Sequence, residues 1–126
     1  QVLAHPASVD SITSSANQEA HVSMGTIASR HARDILDNAR KVLAMEILAS
    51  AQAIDLRGKK KLGKGTEEAY KVIRERTPFV DKDRTMYKDI YICEDIIKEN
   101  LLVEAVEKAI GKELLVSEEI VSDLEL

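Results

Sequence analysis

From Ser15 to Gly58 the chain contains no proline and a single glycine, Gly25. Apolar residues recur through this stretch at Met24, Ile27/Ala28, Ala32, Ile35/Leu36, Ala39 and Val42/Leu43, the spacing of one helix face. Glu19, Ser23, Thr26, Arg30, Arg33, Asp37 and Lys41 fall on the opposite side. Ser15-Ala-Asn-Gln18 has the form of a capping box, a serine with a glutamine three residues later. The pattern predicts one helix over residues 16–57, on the order of 60 Å long at 1.5 Å per residue. Its second half, residues 42–56, is apolar nearly all round, interrupted only by Glu46, Ser50, Gln52 and Asp55. A helix that is apolar on every side is buried on every side. A compact chain of 126 residues cannot easily supply that cover. The helix is therefore expected to belong to a large bundle, built with other parts of a longer chain or with other subunits.

The rest of the chain reads as connections and shorter helices. Residues 1–15 are irregular, with Pro6 breaking regular structure and Ser8, Asp10, Ser11, Thr13 and Ser14 favouring turns. Residues 58–65 form a basic, glycine-rich loop. Thr66, followed by Glu67 and Glu68, is expected to cap a second helix that runs to Arg76 and ends at Thr77-Pro78. Further helices are expected over residues 87–99, 101–110 and 117–123, all within a C-terminal region 66–126. No run alternates at period two. The predicted fold class is all-α, and 14 alanines suit closely packed helices.

Composition narrows the functional classes. With 44% apolar and 32% charged residues the chain can bury a core. It opens on Gln1 rather than Met, as expected of a processed product or a fragment. No stretch reaches the roughly 18 apolar residues of a membrane span, and no secretory leader opens the chain. A single cysteine, Cys93, excludes an internal disulfide framework. A reducing, cytoplasmic setting follows as the expectation. Charge is uneven: residues 1–56 sum to −2, residues 57–88 to +6 and residues 89–126 to −8. Four aromatic residues (Phe79, Tyr70, Tyr87, Tyr91) and an overall excess of acid argue against a nucleic-acid partner.

Several candidate sites can be weighed residue by residue. Gly58-x-x-x-x-Gly63-Lys64 approaches a phosphate-binding loop, but Gly65 stands where a hydroxyl is needed and a helix precedes it where a strand is required. His5, His21 and His31 match no zinc spacing, and no metal is expected. Cys93 has no basic neighbour in sequence to activate it and reads as core. Glu46, in the most apolar stretch, is expected to be buried, in a structural ion pair or in a site. Asn17, Gln18, Glu19 and His21 crowd a helix start, which is either a polar cap or a place where amide donors meet an anionic group.

Residues 5–25, His-Pro-Ala-Ser-Val-Asp-Ser-Ile-Thr-Ser-Ser-Ala-Asn-Gln-Glu-Ala-His-Val-Ser-Met-Gly, closely resemble a signature segment of the histidine ammonia-lyases, a class of aromatic amino-acid lyases. The likeness continues through Val42-Leu-Ala-Met-Glu-Ile-Leu-Ala-Ser-Ala-Gln-Ala-Ile-Asp-Leu-Arg57 and resumes more weakly at Thr77-Pro-Phe-Val-Asp-Lys-Asp-Arg84 and Asp89-Ile90. The resemblance implies a C-terminal segment of a larger, mainly helical lyase subunit, whose long helices meet those of three other subunits in a homotetramer. It implies elimination of ammonia from L-histidine to give urocanate. The electrophile would be a methylidene-imidazolone made by cyclisation of an internal Ala-Ser-Gly. No Ala-Ser-Gly occurs here, so the rest of the polypeptide or a companion chain would have to provide it. Glu19 matches the glutamate that reaches the substrate in histidine-specific members, and Asn17, Gln18 and His21 would surround it. A carboxylate can pair with an imidazole N–H or an ammonium, whereas the glutamine of phenylalanine- and tyrosine-specific members suits a neutral ring. Ala20 stands where the family usually has aspartate, removing a carboxylate beside Glu19. The alternative reading is a non-catalytic helical assembly module derived from the same family.

Overall fold

The computed structural model describes residues 2–7, 24–58 and 61–111. Among these residues the regular structure is entirely helical: a 3-10 turn at Val2–Ala4, then α1 (Gly25–Leu56), α2 (Lys64–Arg76), α3 (Tyr87–Lys98) and α4 (Leu101–Ile110). The all-α expectation holds. The helix expected over 117–123 and residues 16–23 of the expected long helix lie outside the described residues; Met24 is not helical, so α1 opens at Gly25 and closes at Leu56, one residue before the expected end. No helix among the described residues is long and apolar enough to cross a membrane.

The chain divides into two compact units, Gln1–Arg40 and Lys41–Leu126. In the first, the start of α1 is held by Ser29, whose Oγ donates to the Gly25 carbonyl at 2.8 Å. An Arg40–Asp37 pair at 3.0 Å lies three residues apart on the same helix. Ile27, Ile35 and Leu36 are exposed.

The second unit contains the core. Ala44, Leu48 and Ala51 recur on one stripe of α1 and cluster with Ile73 of α2 and Cys93 of α3. Ile47, Tyr70, Met86, Ile90, Ile97 and Leu102 close around them. The two alanines on that stripe let helices approach closely while Leu48 fills the space between. Four other apolar residues of 42–56 are not covered: Val42 is 59% exposed, Leu43 47%, Met45 46% and Leu56 72%. Only one face of the apolar stretch is therefore buried within the chain itself. Glu46 lies about 200° round the helix from both Ala44 and Leu48. Within this chain it is exposed and pairs with no other described residue; the burial expected for it is burial in a bundle with helices outside this chain.

Helix ends follow local chemistry, with one shift. Gly58, at φ +78°, terminates α1 in the left-handed conformation that glycine adopts freely, and its N–H donates to the Asp55 carbonyl. The second helix begins earlier than Thr66 suggested. Gly63 is its cap, without any side-chain hydrogen bond, and Thr66 lies inside the first turn. The reason is packing. A Cβ on Gly65 would stand 3.1 Å from Val106 Cγ1 and 3.6 Å from Ile110. Glycine here lets the first turn of α2 close onto α4. At the other end Thr77 is buried; its N–H and its Oγ both donate to the Ile73 carbonyl, at 2.9 and 2.7 Å. Asn100, at φ +59°, makes the corner between α3 and α4. The third helix ends at Lys98, one residue short of expectation, because the chain turns at Glu99-Asn100.

Candidate functional site

The residues with the strongest sequence claim to a site, Asn17, Gln18, Glu19 and His21, lie outside the described residues. The segment that carries them is flanked in sequence by the Val2–Ala4 turn and by α1. In the first unit, the opening residues and the first turns of α1 line a cleft of about 350 Å³ whose walls include Leu3, His5, Pro6, Ala28, His31 and Ile35. It joins two imidazoles that are 26 positions apart in sequence, a pairing that spacing rules had no reason to suggest. Each neutral imidazole offers one donor and one acceptor. Two ligands do not make a metal centre, and no group of three or more metal-binding side chains occurs among the described residues.

The second unit is organised by Arg74. Its Nε donates to Asp55 Oδ2 at 2.8 Å and its Nη2 to Gln52 Oε1 at 3.1 Å. Its Nη1 reaches the carbonyls of Thr77 at 3.4 Å and Pro78 at 3.1 Å. Gln52 in turn treats residue 80 as a strand neighbour would: its Nε2 donates to the Val80 carbonyl at 2.8 Å, and Val80 N–H donates to its Oε1 at 3.1 Å. Tyr70 donates its hydroxyl to the other oxygen of Asp55. The guanidinium is thus spread over two side chains of α1 and two carbonyls beyond α2. This network had not been singled out in the sequence. Its signature is modest: Gln52 and Asp55 three apart on α1, Tyr70 and Arg74 four apart on α2, each pair on one helix face.

A second knot involves residues of the weaker resemblance. Arg84 donates to Asp89, whose side chain is 4% exposed. Lys98 pairs with the equally hidden Glu94 at 3.1 Å. The buried acids of α3 are thereby neutralised from its two ends. A cleft of about 390 Å³ opens beside them, lined by Met45, Leu48, Gln52, Val80, Arg84 and Ile90 among others. Two of its polar walls are engaged, Gln52 with Val80 and Arg84 with Asp89, while the third, the exposed Asp83, pairs with no other described residue. No buried side-chain nitrogen or oxygen among the described residues lacks a partner. Such an arrangement fixes the helices against one another.

Cys93 agrees with its reading as core. It is fully buried, and that burial pushes its thiol up to about 11. The charge of Asp89 adds to the effect and Arg74 partly offsets it. A thiol protonated throughout the neutral range is no nucleophile. The near phosphate-binding loop is also accounted for: Lys64 is the first residue of α2, and Gly65 serves contact with α4.

Comparison with known proteins places the chain. Residues 1–75 match the sequence pattern of the aromatic amino acid lyases. The chain belongs to that family. It is 61% identical over 117 residues to a histidine ammonia-lyase of Clostridium tetani, a match covering 90% of this chain and 23% of the relative. Among solved structures it resembles histidine ammonia-lyase from Trypanosoma cruzi, with a TM-score of 0.81 and 32% identity over 89% of this chain and 22% of that one. The ergothioneine-degrading enzyme of Treponema denticola matches with a TM-score of 0.73 and 42% identity, over 80% of this chain and 20% of that one. The chain spans between a fifth and a quarter of the length of these relatives.

Proposed function

We propose that this chain is the C-terminal part of a histidine ammonia-lyase and that it brings Glu19 to the substrate of the assembled enzyme. The observation that carries this reading is the close identity with a histidine ammonia-lyase over nine-tenths of the chain, including the segment that holds Glu19. In that role the Glu19 carboxylate accepts a hydrogen bond from the imidazole N–H or the ammonium of L-histidine, and Asn17, Gln18 and His21 hold it in position. The family uses a methylidene-imidazolone group, and this chain cannot make one. Ala7-Ser8 is followed by Val9, Ala28-Ser29 by Arg30 and Ala49-Ser50 by Ala51, and Ser29 and Ser50 lie within the turns of α1, Ser29 bonded to the Gly25 carbonyl. The remaining lyase polypeptide, or a companion chain, supplies that group. The uncovered apolar side of α1 then belongs to the helical core of a cytoplasmic homotetramer.

The test is Glu19→Gln in the complete enzyme, which keeps size and hydrogen-bonding capacity and removes charge. Loss of one charge-assisted hydrogen bond, about 1.5–3 kcal/mol, lowers kcat/KM for histidine by roughly 10- to 150-fold while the melting temperature stays near wild type. Near-wild-type urocanate production would remove the active-site role. The 126-residue chain assayed alone gives no urocanate; turnover by it would overturn the assignment as a part. A second reading, a helical assembly module without chemistry, draws on the same uncovered face of α1 and on the missing Ala-Ser-Gly. It is favoured if no Ala-Ser-Gly lyase sequence is encoded in frame with, or beside, this one.

A further inference from the structure

We draw no further inference here: the strongest candidate, the apolar cleft lined by Met45 and Leu48 of α1, Val80 and Arg84 of the connection between α2 and α3 and Ile90 of α3, is an unpartnered groove, and nothing in the structure shows what covers it.

Discussion

The thiol of Cys93 gives the molecule a pH dependence whose direction can be worked out. Its ordinary value is 9.0, and in the folded chain it stands at about 11. Below pH 9 both the folded and the unfolded chain keep the proton, and stability does not depend on this group. Between pH 9 and 11 the unfolded chain alone releases it, so stability falls as pH rises, and the loss is complete above the folded value. Tyrosines and lysines titrate in the same range, so the informative quantity is a difference. The stability of the native protein minus that of Cys93→Ala, from urea midpoints, should be constant up to pH 9 and then decline towards pH 11. A flat difference would mean that the thiol is not held in a dry site. Iodoacetamide should correspondingly label Cys93 at pH 7.5 only as fast as the chain opens. The core position of this residue was legible because its sequence neighbours offered no activating group. Glu46, exposed within this chain, shows the limit of such a reading: a stretch that is apolar on average does not reveal which of its sides the chain covers by itself.

At the level of helices, Arg74 and Gly65 govern how α2 sits. Replacing Arg74 with Met keeps much of the side-chain bulk and withdraws the guanidinium from Asp55, Gln52 and two carbonyls at once. Both side chains of the Arg74–Asp55 pair are largely out of water, 12% and 9% exposed. Breaking such a pair from one side costs about 3 kcal/mol. Thermal or urea unfolding of Arg74→Met should register a loss of that order, and Arg74→Lys should recover only part of it, since a point charge cannot span four acceptors. A loss below about 0.5 kcal/mol, the scale of surface changes, would show that the network is ornamental. Gly65→Leu should cost about 1–3 kcal/mol by forcing a side chain between α2 and α4. Gly65→Ala should stay within about 1 kcal/mol of wild type, because better helix propensity offsets the displacement of Val106. Helix order was readable from periodicity and from Thr77-Pro78, and the C-terminal ends of α2 and α4 fell as expected while those of α1 and α3 came one residue early. The start of α2 was not. Threonine is a good cap in isolation, but close contact with a later helix decides the matter, and a glycine inside a helix does not announce what lies opposite it.

For the chain as a whole, the balance between covered and uncovered apolar surface is decisive. Val42, Leu43, Met45 and Leu56 stand in water on a helix whose opposite stripe forms the core. Full burial of a Val, Leu or Met side chain stabilises by about 1.5–3 kcal/mol, and each of these residues forgoes a part of that. The purified 126-residue chain should therefore associate at micromolar concentration, measured by light scattering. A well-folded monomer under those conditions would count decisively against the bundle. Periodicity alone was enough to say that the chain by itself leaves apolar surface of this helix open, as the exposure of Val42, Leu43, Met45 and Leu56 shows. The candidate substrate contact was legible only through resemblance: nothing in the period or composition of residues 15–25 distinguishes a carboxylate that meets a ligand from one that caps a helix. The bare side of α1 also has a meaning inside a cell. Chaperones and quality-control proteases triage chains that expose such surface, so under the proposed assembly an orphan copy of the chain would be a client before it is a component. Its abundance would then be set less by its own rate of synthesis than by how fast complementary helices are made to receive it.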